Sequence, residues 1–552
     1  MAAVQTATAE TDLNGLLKAN KAEALSRLFA SDAAARKDVV VIMGNEAGDT
    51  DSMASAVLLA HLLSHPANAG GRTIRDSLKL PEDTLFTPLM QFLRKDLRLR
   101  GENEMLLHLL DVDPSSLLFL DDLPQDRSRL LAGGDHVKLA LTDHPSLSKT
   151  WEPYDELSKR VVAVIDHHAD DGSHKNAPLR VLMGPGAGQV GSAVSVVVDL
   201  FSDKGKELKL SMKLADLALA AVLIDTDDLR PMPRGKATEV DLTAGRLLAV
   251  QSSLVRPESR TSFLDTAVRF GGDIAASAAK ADSSFFAKSH TSLGFSDGLS
   301  PSSLNSADAG EGVLARTALS TYWAVLSAVK LDVARLSSAD LLHRDYKETT
   351  VDESQFRSGF SSVPVGLSEW IRKKDLSPAG GGGGGGGGKG EDERWQKYWS
   401  TIDEFMREKR LQWAVVGTSF RDDGEEMDES NDSTTAREGK HRRELLLACR
   451  GAPASALFKT VLSTLESDAY AQGLSSPDSS SQQLLLESPW KGRRLASTGK
   501  RERVAGLDEQ GRWPQGDMQV AVYIQRNARA SRKVYLPAVM HAIRAAAASV
   551  PK

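Results

Sequence analysis

Short apolar runs that give way to acidic residues recur through the first 225 positions of this chain, and nothing else narrows its possible folds as much. Val39-Val40-Val41-Ile42-Met43 leads into Gly44-Asn45-Glu46-Ala47-Gly48-Asp49-Thr50-Asp51-Ser52. Val137 to Leu141 leads into Thr142-Asp143-His144, and Val161 to Ile165 into Asp166-His167-His168. Runs of this length, bounded by polar loops, read as strands buried on both faces. Helix-period segments such as Leu13 to Phe29 and Met53 to Leu63 lie among them. Strands alternating with helices predict an α/β fold with a doubly wound parallel sheet, whose ligands bind beyond the carboxyl ends of the strands. A fourth acid, Asp225, follows the apolar stretch Ala220 to Ile224, so four motifs are expected to converge on one sheet edge. Leu117 to Leu120 ends in Asp121-Asp122, two acids expected to be structural or supporting.

One such acid is commonplace, since an Asp or Ser in a polar loop often caps the next helix. Four in equivalent places, with imidazoles beside two of them, describe oxygen-rich sites for hard or borderline divalent ions such as Mn²⁺ or Mg²⁺. Two such ions can activate water and clamp phosphoryl oxygens in an in-line displacement. The rest of the composition limits the partners. A net charge of −6 argues against a protein that coats nucleic acid or an anionic membrane, so neither partner is expected. An anionic ligand must then be met by local charge. Cys449 is the sole cysteine, which excludes an intrachain disulfide and a thiolate metal cluster. The first residues carry acids and no basic-then-apolar signal pattern, and the longest apolar runs are too short to span a bilayer. The chain reads as cytoplasmic.

Its 552 residues predict two domains. Ser283 to Glu311 reads as a linker, with a hinge near 300–312, and periodicity resumes near Val313. Gly380 to Gly388 is an unbroken glycine run, read as a flexible excursion. Arg421 to Lys440 is charged and Ser475 to Gln483 Ser-rich, and both are expected to be disordered. Around them Trp413 to Thr418, Glu444 to Cys449 and Met518 to Ile524 read as strands, Ala454 to Glu466 and Pro537 to Ala548 as helices. Gly186-Ala187-Gly188-Gln189-Val190-Gly191 matches a dinucleotide fingerprint in letters but lies mid-chain, without a strand-end acid about twenty residues on. Gly191 and Ser192 remain structural or phosphate-cradling candidates.

Taken in order, the four motifs resemble the DHH phosphoesterase superfamily. Asn45 in place of a first-motif histidine resembles its cytosolic, fungal-type exopolyphosphatase and prune branch rather than the family II inorganic pyrophosphatases. The resemblance implies residues 1–300 as a DHH domain and 313–552 as a smaller C-terminal α/β substrate-binding domain with insertions at 375–392, 421–440 and 474–484. It implies two divalent ions, Mn²⁺ or Mg²⁺, on Asp49, Asp51, Asp143, His167 and Asp225, with Asp143 bridging and His168 beside the substrate phosphate. Asn45 would offer a neutral carbonyl oxygen there. Leu341-Leu342-His343-Arg344-Asp345-Tyr346-Lys347-Glu348 resembles the motif that opens the substrate domain, and Ala530-Ser531-Arg532-Lys533 the C-terminal signature. Lys347, Ser531, Arg532 and Lys533, with Lys236 as a weaker candidate, would meet a polyanion. The implied activity is release of terminal orthophosphate from inorganic polyphosphate by a monomer, the second domain closing over the first. The alternatives are a pyrophosphatase or prune-like activity on short substrates, and a non-catalytic partner-binding protein on the same fold. The glycine-histidine motif of the superfamily's nucleases is not evident.

Overall fold

The computed structural model of the chain describes residues 12–30, 37–65, 68–126, 130, 135–151, 155–184, 188–202, 208–232, 235–255, 263, 266, 308–351, 356–377, 388–422, 440–473, 482–487, 504–508 and 511–549. The chain divides into two compact units between Asp332 and Val333.

In the first unit, α1 (Leu13–Leu28) precedes β1 (Val39–Met43). There follow α2 (Thr50–Ser64), β2 (Leu85–Met90), α3 (Gly101–Leu109), β3 (Leu118–Phe119), β4 (Val137–Thr142), β5 (Val161–Asp166) and β6 (Leu179–Leu182). Helices α4 (Ala193–Phe201), α5 (Met212–Asp225), α6 (Glu239–Ala249) and α7 (Asp308–Leu331) complete it. The strands pair parallel in the order β3-β2-β1-β4-β5-β6, with Val39 opposite both Leu85 and Val137. Alternate residues of β1 serve two cores, as the two-residue period of a strand requires. Val40 and Ile42 pack in the cluster of Met53, Val197 and Leu219, whereas Val39, Val41 and Met43 join Leu28, Trp151 and Leu157. The strand order reverses between β1 and β4. The loops that leave these two strands therefore diverge and open a crevice at their carboxyl ends. The first and second acidic motifs are those loops, and the third leaves the neighbouring strand.

The fourth motif reaches the site by another route. Asp225 ends a helix, not a strand: Leu214 to Ile224 is buried throughout α5. A fully buried helix is apolar all round, so its sequence lacks the amphipathic period, and four alanines supply helix propensity. Residues 308–312, expected in the linker, are already helical in α7.

The second unit contains α8 (Ser338–Arg344), β7 (Tyr346–Val351), β8 (Phe356–Val363), α9 (Gly388–Glu408), β9 (Trp413–Thr418) and β10 (Phe420–Asp422). It continues with β11 (Lys440–Arg450), α10 (Ala452–Glu466), β12 (Leu486–Glu487), β13 (Arg512–Trp513), β14 (Met518–Gln525) and α11 (Arg532–Ala548). The main sheet order is β12-β14-β11-β9-β8-β7, with β8 and β9 parallel and the other neighbours antiparallel. Leu445, Leu447 and Cys449 of β11 pack with Val461 of α10 and Tyr535 and Val539 of α11.

Helix α9 has no counterpart among the sequence-based expectations. Its buried stripe of Trp395, Tyr398, Trp399, Ile402, Phe405 and Met406 has the helical period, but it begins directly after the glycine run. Residues 378–387, which hold all but the last glycine of that run, lie outside the described residues, as do 423–439 of the charged stretch. The ends of that stretch are ordered: Arg421 pairs with His441 and Asp422 with Lys440 between β10 and β11. Residues 482–484 of the third insertion are also described, and Leu484 N–H donates to Asp468. Helix α11 starts at Arg532 and carries Pro537 inside it. A proline in the second turn costs the Lys533 carbonyl its intrahelical donor.

Candidate metal centre

The loop after β1 is held as a rigid shelf. Asp49 caps α2, its Oδ1 accepting from Ser52 N–H at 3.0 Å. Gly48 has φ +58, and a Cβ there would meet the Phe92 ring at 2.3 Å, so only glycine fits. Arg100 Nε donates to Ala47 O at 2.9 Å and Asn103 Nδ2 to Gly48 O at 2.9 Å, fastening the loop to the start of α3.

Asp51, in the first turn of α2, is wholly buried. Its Oδ1 accepts from Ser192 Oγ at 2.7 Å and Val194 N–H at 3.1 Å, and its Oδ2 from Ala193 N–H at 2.6 Å. The N-terminus of α4 thus receives a carboxylate of the chain itself. Gly191 N–H is likewise taken, by Asp241. Of the two uses open to Gly191 and Ser192, the structural one is what these bonds describe.

Asp143 follows β4 with φ 61, a left-handed conformation that stores strain in a non-glycine residue. Its Oδ2 accepts from Asn45 Nδ2 at 2.7 Å and Ser52 Oγ at 2.5 Å. Asn45 Oδ1 in turn accepts from the N–H groups of Ala47 and Gly48. Reversing the amide would set its NH₂ against two N–H donors and its oxygen against a carboxylate. Asn45 therefore spends its carbonyl on the loop and presents a donor to Asp143. The expectation that it offers an oxygen to the site does not match this geometry.

On Asp143's other oxygen, Oδ1, two imidazoles converge. His167 Nε2 lies 3.2 Å away and His168 Nδ1 3.7 Å. Their roles are separated by their remaining bonds. His167 Nδ1 lies 3.1 Å from Val190 O, which can only accept, so Nδ1 carries the hydrogen. A neutral ring then turns the Nε2 lone pair toward Asp143 Oδ1 and toward Asp51 Oδ2 at 3.9 Å. Either a second proton on the ring or a metal ion must stand between Nε2 and these carboxylates. His168 Nδ1 instead bonds Asp166 Oδ1 at 2.8 Å, and that same oxygen accepts from His167 N–H at 2.8 Å. The other Asp166 oxygen, Oδ2, is buried without a hydrogen-bond partner among the described residues.

Asp51, His167 and Asp225 each offer a ligand atom within 4.8 Å of the others, and so do Asp143, Asp166, His167 and His168. The two groups share His167. Asp49 belongs to neither, though its charge acts on Asp143. Oxygen donors with a single well-oriented imidazole, whose other nitrogen is fixed by a carbonyl, fit a divalent ion such as Mn²⁺ or Mg²⁺.

The electrostatics reflect the crowding. Burial first, then the charge of Asp49, push the Asp143 carboxyl up to about 6. Burial and the charges of Asp225 and Asp143 raise Asp51 well above the usual carboxylate range, despite its hydrogen bonds. Burial would also raise Asp166, but the hydrogen bond and charge of His168, with His167 and His144, bring it down to about 2. A divalent ion binds the ionised carboxylates, so protons on Asp143 and Asp51 compete with it. Mn²⁺ affinity should therefore fall as pH drops below about 6, by up to roughly tenfold per pH unit for each proton displaced. Titration calorimetry in two buffers of different ionisation heat should show proton release near pH 5.5. A pH-independent affinity would contradict the crowding.

In the second unit, Arg532 donates to Asp345 through both ends of its fork, to the carbonyl at 2.7 Å and to Oδ1 at 2.9 Å. That pair joins the two C-terminal motifs. Lys347 is half-buried on β7 opposite Phe360. Lys533 is exposed, and Ser531 caps α11 without a side-chain cap bond. Lys236 is exposed in the first unit. Asp122 pairs with Lys21 and Arg94, and Asp121 accepts from Arg94 N–H, so both acids brace the fold. Ser52, Arg100, Asn103 and Lys330 act in or around the site without being legible in the sequence. Lys330 Nζ lies 3.7 Å from Asp225 Oδ1.

Two family models match the chain: the DHH family, N-terminal domain, over residues 39–222, and the DHHA2 domain over residues 324–542. A protein of Schizosaccharomyces pombe named "Putative exopolyphosphatase" is 29% identical over 224 residues, 39% of this chain and 51% of that protein. Exopolyphosphatase PRUNE1 of Bos taurus is 30% identical over 205 residues, 37% of this chain and 40% of its own length. A manganese-dependent inorganic pyrophosphatase of Methanocaldococcus jannaschii is 25% identical over 192 residues, 34% of this chain and 47% of that protein. The chain thus spans about half the length, or less, of these curated relatives. Among the described residues no helix is long and apolar enough to cross a membrane.

Proposed function

Because the chain belongs to the DHH phosphoesterase superfamily, we propose that it is a metal-dependent exopolyphosphatase, which hydrolyses the terminal phosphoanhydride bond of inorganic polyphosphate and releases orthophosphate. The observation that carries this reading is the convergence of His167 Nε2 on Asp143 and Asp51, an imidazole and carboxylate donor set that suits a divalent ion. In it, Asp49, Asp51, Asp143, His167 and Asp225 hold two divalent ions, Mn²⁺ or Mg²⁺, with Asp143 shared between them. When bound, the ions would acidify a water and neutralise phosphoryl oxygens.

The chain's own residues supply the rest. Ser52 and Asn45 fix one oxygen of Asp143, which leaves the other to the site. The N-terminus of α4 donates to both oxygens of Asp51 and so fixes the carboxylate, with Oδ2 turned toward His167. Asp166 accepts Nδ1–H of His168 and its charge favours the imidazolium, whose Nε2–H can donate to a phosphate oxygen. Lys347, Arg532 and Lys533 stabilise charge on the polyanion, Arg532 with its guanidinium oriented by Asp345. Ser531 and Lys236 are weaker contacts of the same kind. Likeness to manganese-dependent inorganic pyrophosphatases supports pyrophosphate as the second candidate substrate.

Phosphate release from polyphosphate, pyrophosphate and a cyclic nucleotide, each with and without a chelator, separates these readings. Polyphosphate should be turned over fastest, with activity lost to the chelator and restored by Mn²⁺ or Mg²⁺. Failure of the purified protein to turn over any of the three with metal present would reject the enzyme reading.

A further inference from the structure

The last turn of α7 carries a cation into the acidic site. Lys330 Nζ lies 3.7 Å from Asp225 Oδ1, with the lysine side chain 29% and the aspartate 19% exposed, so the pair stands where solvent and a ligand can reach it. Through Asp225 the lysine adjoins the group of Asp51, His167 and Asp225, whose ligand atoms lie within 4.8 Å of one another. Glu102 is wholly buried and lies 3.9 Å from Arg100, the residue that fastens the first-motif loop. Lys330 is thus a charge in the crevice, among the proposed ion ligands, rather than on the solvated surface.

An ion pair that merely tied α7 to α5 could form anywhere along the two helices. This one uses an acid that the site needs for something else. A divalent ion on Asp225 and an ammonium on the same carboxylate repel each other, and both attract an approaching phosphate. We propose that Lys330 is a phosphate-directed cation of the first unit that shares Asp225 with the divalent ion, an inference that rests on the metal-site reading above. Before the ion arrives, Lys330 balances Asp225. With the ion in place, its three donors turn to phosphoryl oxygens, a use that suits a compact point charge on a flexible stem.

Opposite signs in two affinities test the proposal. In the full chain, Lys330→Met should bind Mn²⁺ about fivefold more tightly, because a neighbouring positive charge is gone. The Mn²⁺-loaded variant should bind orthophosphate about tenfold more weakly. Lys330→Gln should move both affinities the same way, and Lys330→Arg should move neither by more than about twofold. Both are read by calorimetry without turnover, beside melting in chelator. A structural tie alone would weaken both affinities together and lower the melting temperature of both neutral variants, and that result overturns the proposal. So does Mn²⁺ affinity that is unchanged or weaker in Lys330→Met. If the unaltered protein binds no Mn²⁺ at all, the metal-site reading fails and this inference with it. Binding without polyphosphate turnover would fail only the exopolyphosphatase reading.

Discussion

Asp143→Asn is expected to keep the fold and remove the function. Asparagine tolerates the left-handed backbone that residue 143 adopts at φ 61. Its oxygen can accept from Asn45 Nδ2 and Ser52 Oγ as Oδ2 does now, and its NH₂ can donate to the His167 Nε2 lone pair that faces Oδ1. The variant also loses one charge from a cluster in which burial and Asp49 already hold this carboxyl up at about 6. Its melting temperature in chelator should therefore equal or exceed that of the parent. What it loses is a buried carboxylate of one candidate ligand group, the group that shares His167 with the other. Turnover of polyphosphate should fall by roughly 10³-fold or more, about 4 kcal/mol of transition-state stabilisation. The rise in melting temperature that Mn²⁺ gives the parent should disappear as well. Equal turnover by variant and parent would sink the assignment of the site to these residues. An alanine at 143 would be a poorer test, because it strands the Asn45 and Ser52 donors in a buried place.

Why some of this was legible and some was not follows from the kind of signal each residue leaves. Asp51, Asp143 and His167 stand just past buried strands, where a β-branched run makes the boundary plain and the chain order reports the sheet edge. Asp225 was found for a partly wrong reason. Its apolar run was visible, but a wholly buried helix and a buried strand look alike over a few residues, and only the length from Leu214 to Ile224 separates them. Ser52 left no signal, since a serine in a polar loop is expected of any helix start, and Ser192 was legible only as a structural or phosphate-cradling candidate. Their work is long-range: Ser192 meets a carboxylate 141 positions away. Asn45 was read by ligand chemistry as an oxygen donor, and backbone N–H groups two and three residues on claimed that oxygen instead. Arg100, just before α3, and Lys330, on α7, are single basic residues, which taken alone read as solvated surface charges. In the second unit the glycine run drew attention away from α9, which went unread although the Trp395 to Met406 stripe carries the helical period.

The two histidines of the third motif should fail differently. His167 is fixed at both ends, with Nδ1 on Val190 O and Nε2 at 3.2 Å from Asp143 and 3.9 Å from Asp51. His167→Ala removes the one imidazole common to both candidate ligand groups, and Mn²⁺ affinity should drop by about 100-fold, with turnover recovering in part at high Mn²⁺. His168 lies within ligand distance too, so its position alone does not exempt it. Its bonding does. Nδ1 is committed to Asp166 Oδ1, and that pairing helps keep Asp166 ionised, its carboxyl down at about 2. The ring is thereby oriented, and the Asp166 charge favours its imidazolium, whose Nε2–H suits a phosphate oxygen. His168→Ala should leave Mn²⁺ affinity within about threefold of the parent and lower turnover by 10²-fold or more, by analogy with loss of a single transition-state donor. Excess Mn²⁺ should not rescue it. Calorimetry on the two variants, beside turnover across a Mn²⁺ series, distinguishes the outcomes. If His168→Ala loses its ion as His167→Ala does, and Mn²⁺ restores both, then Asp166 is orienting a ligand and the phosphate contact must come from elsewhere. A residual rate in His168→Ala that stays flat as Mn²⁺ rises assigns the ring to the substrate.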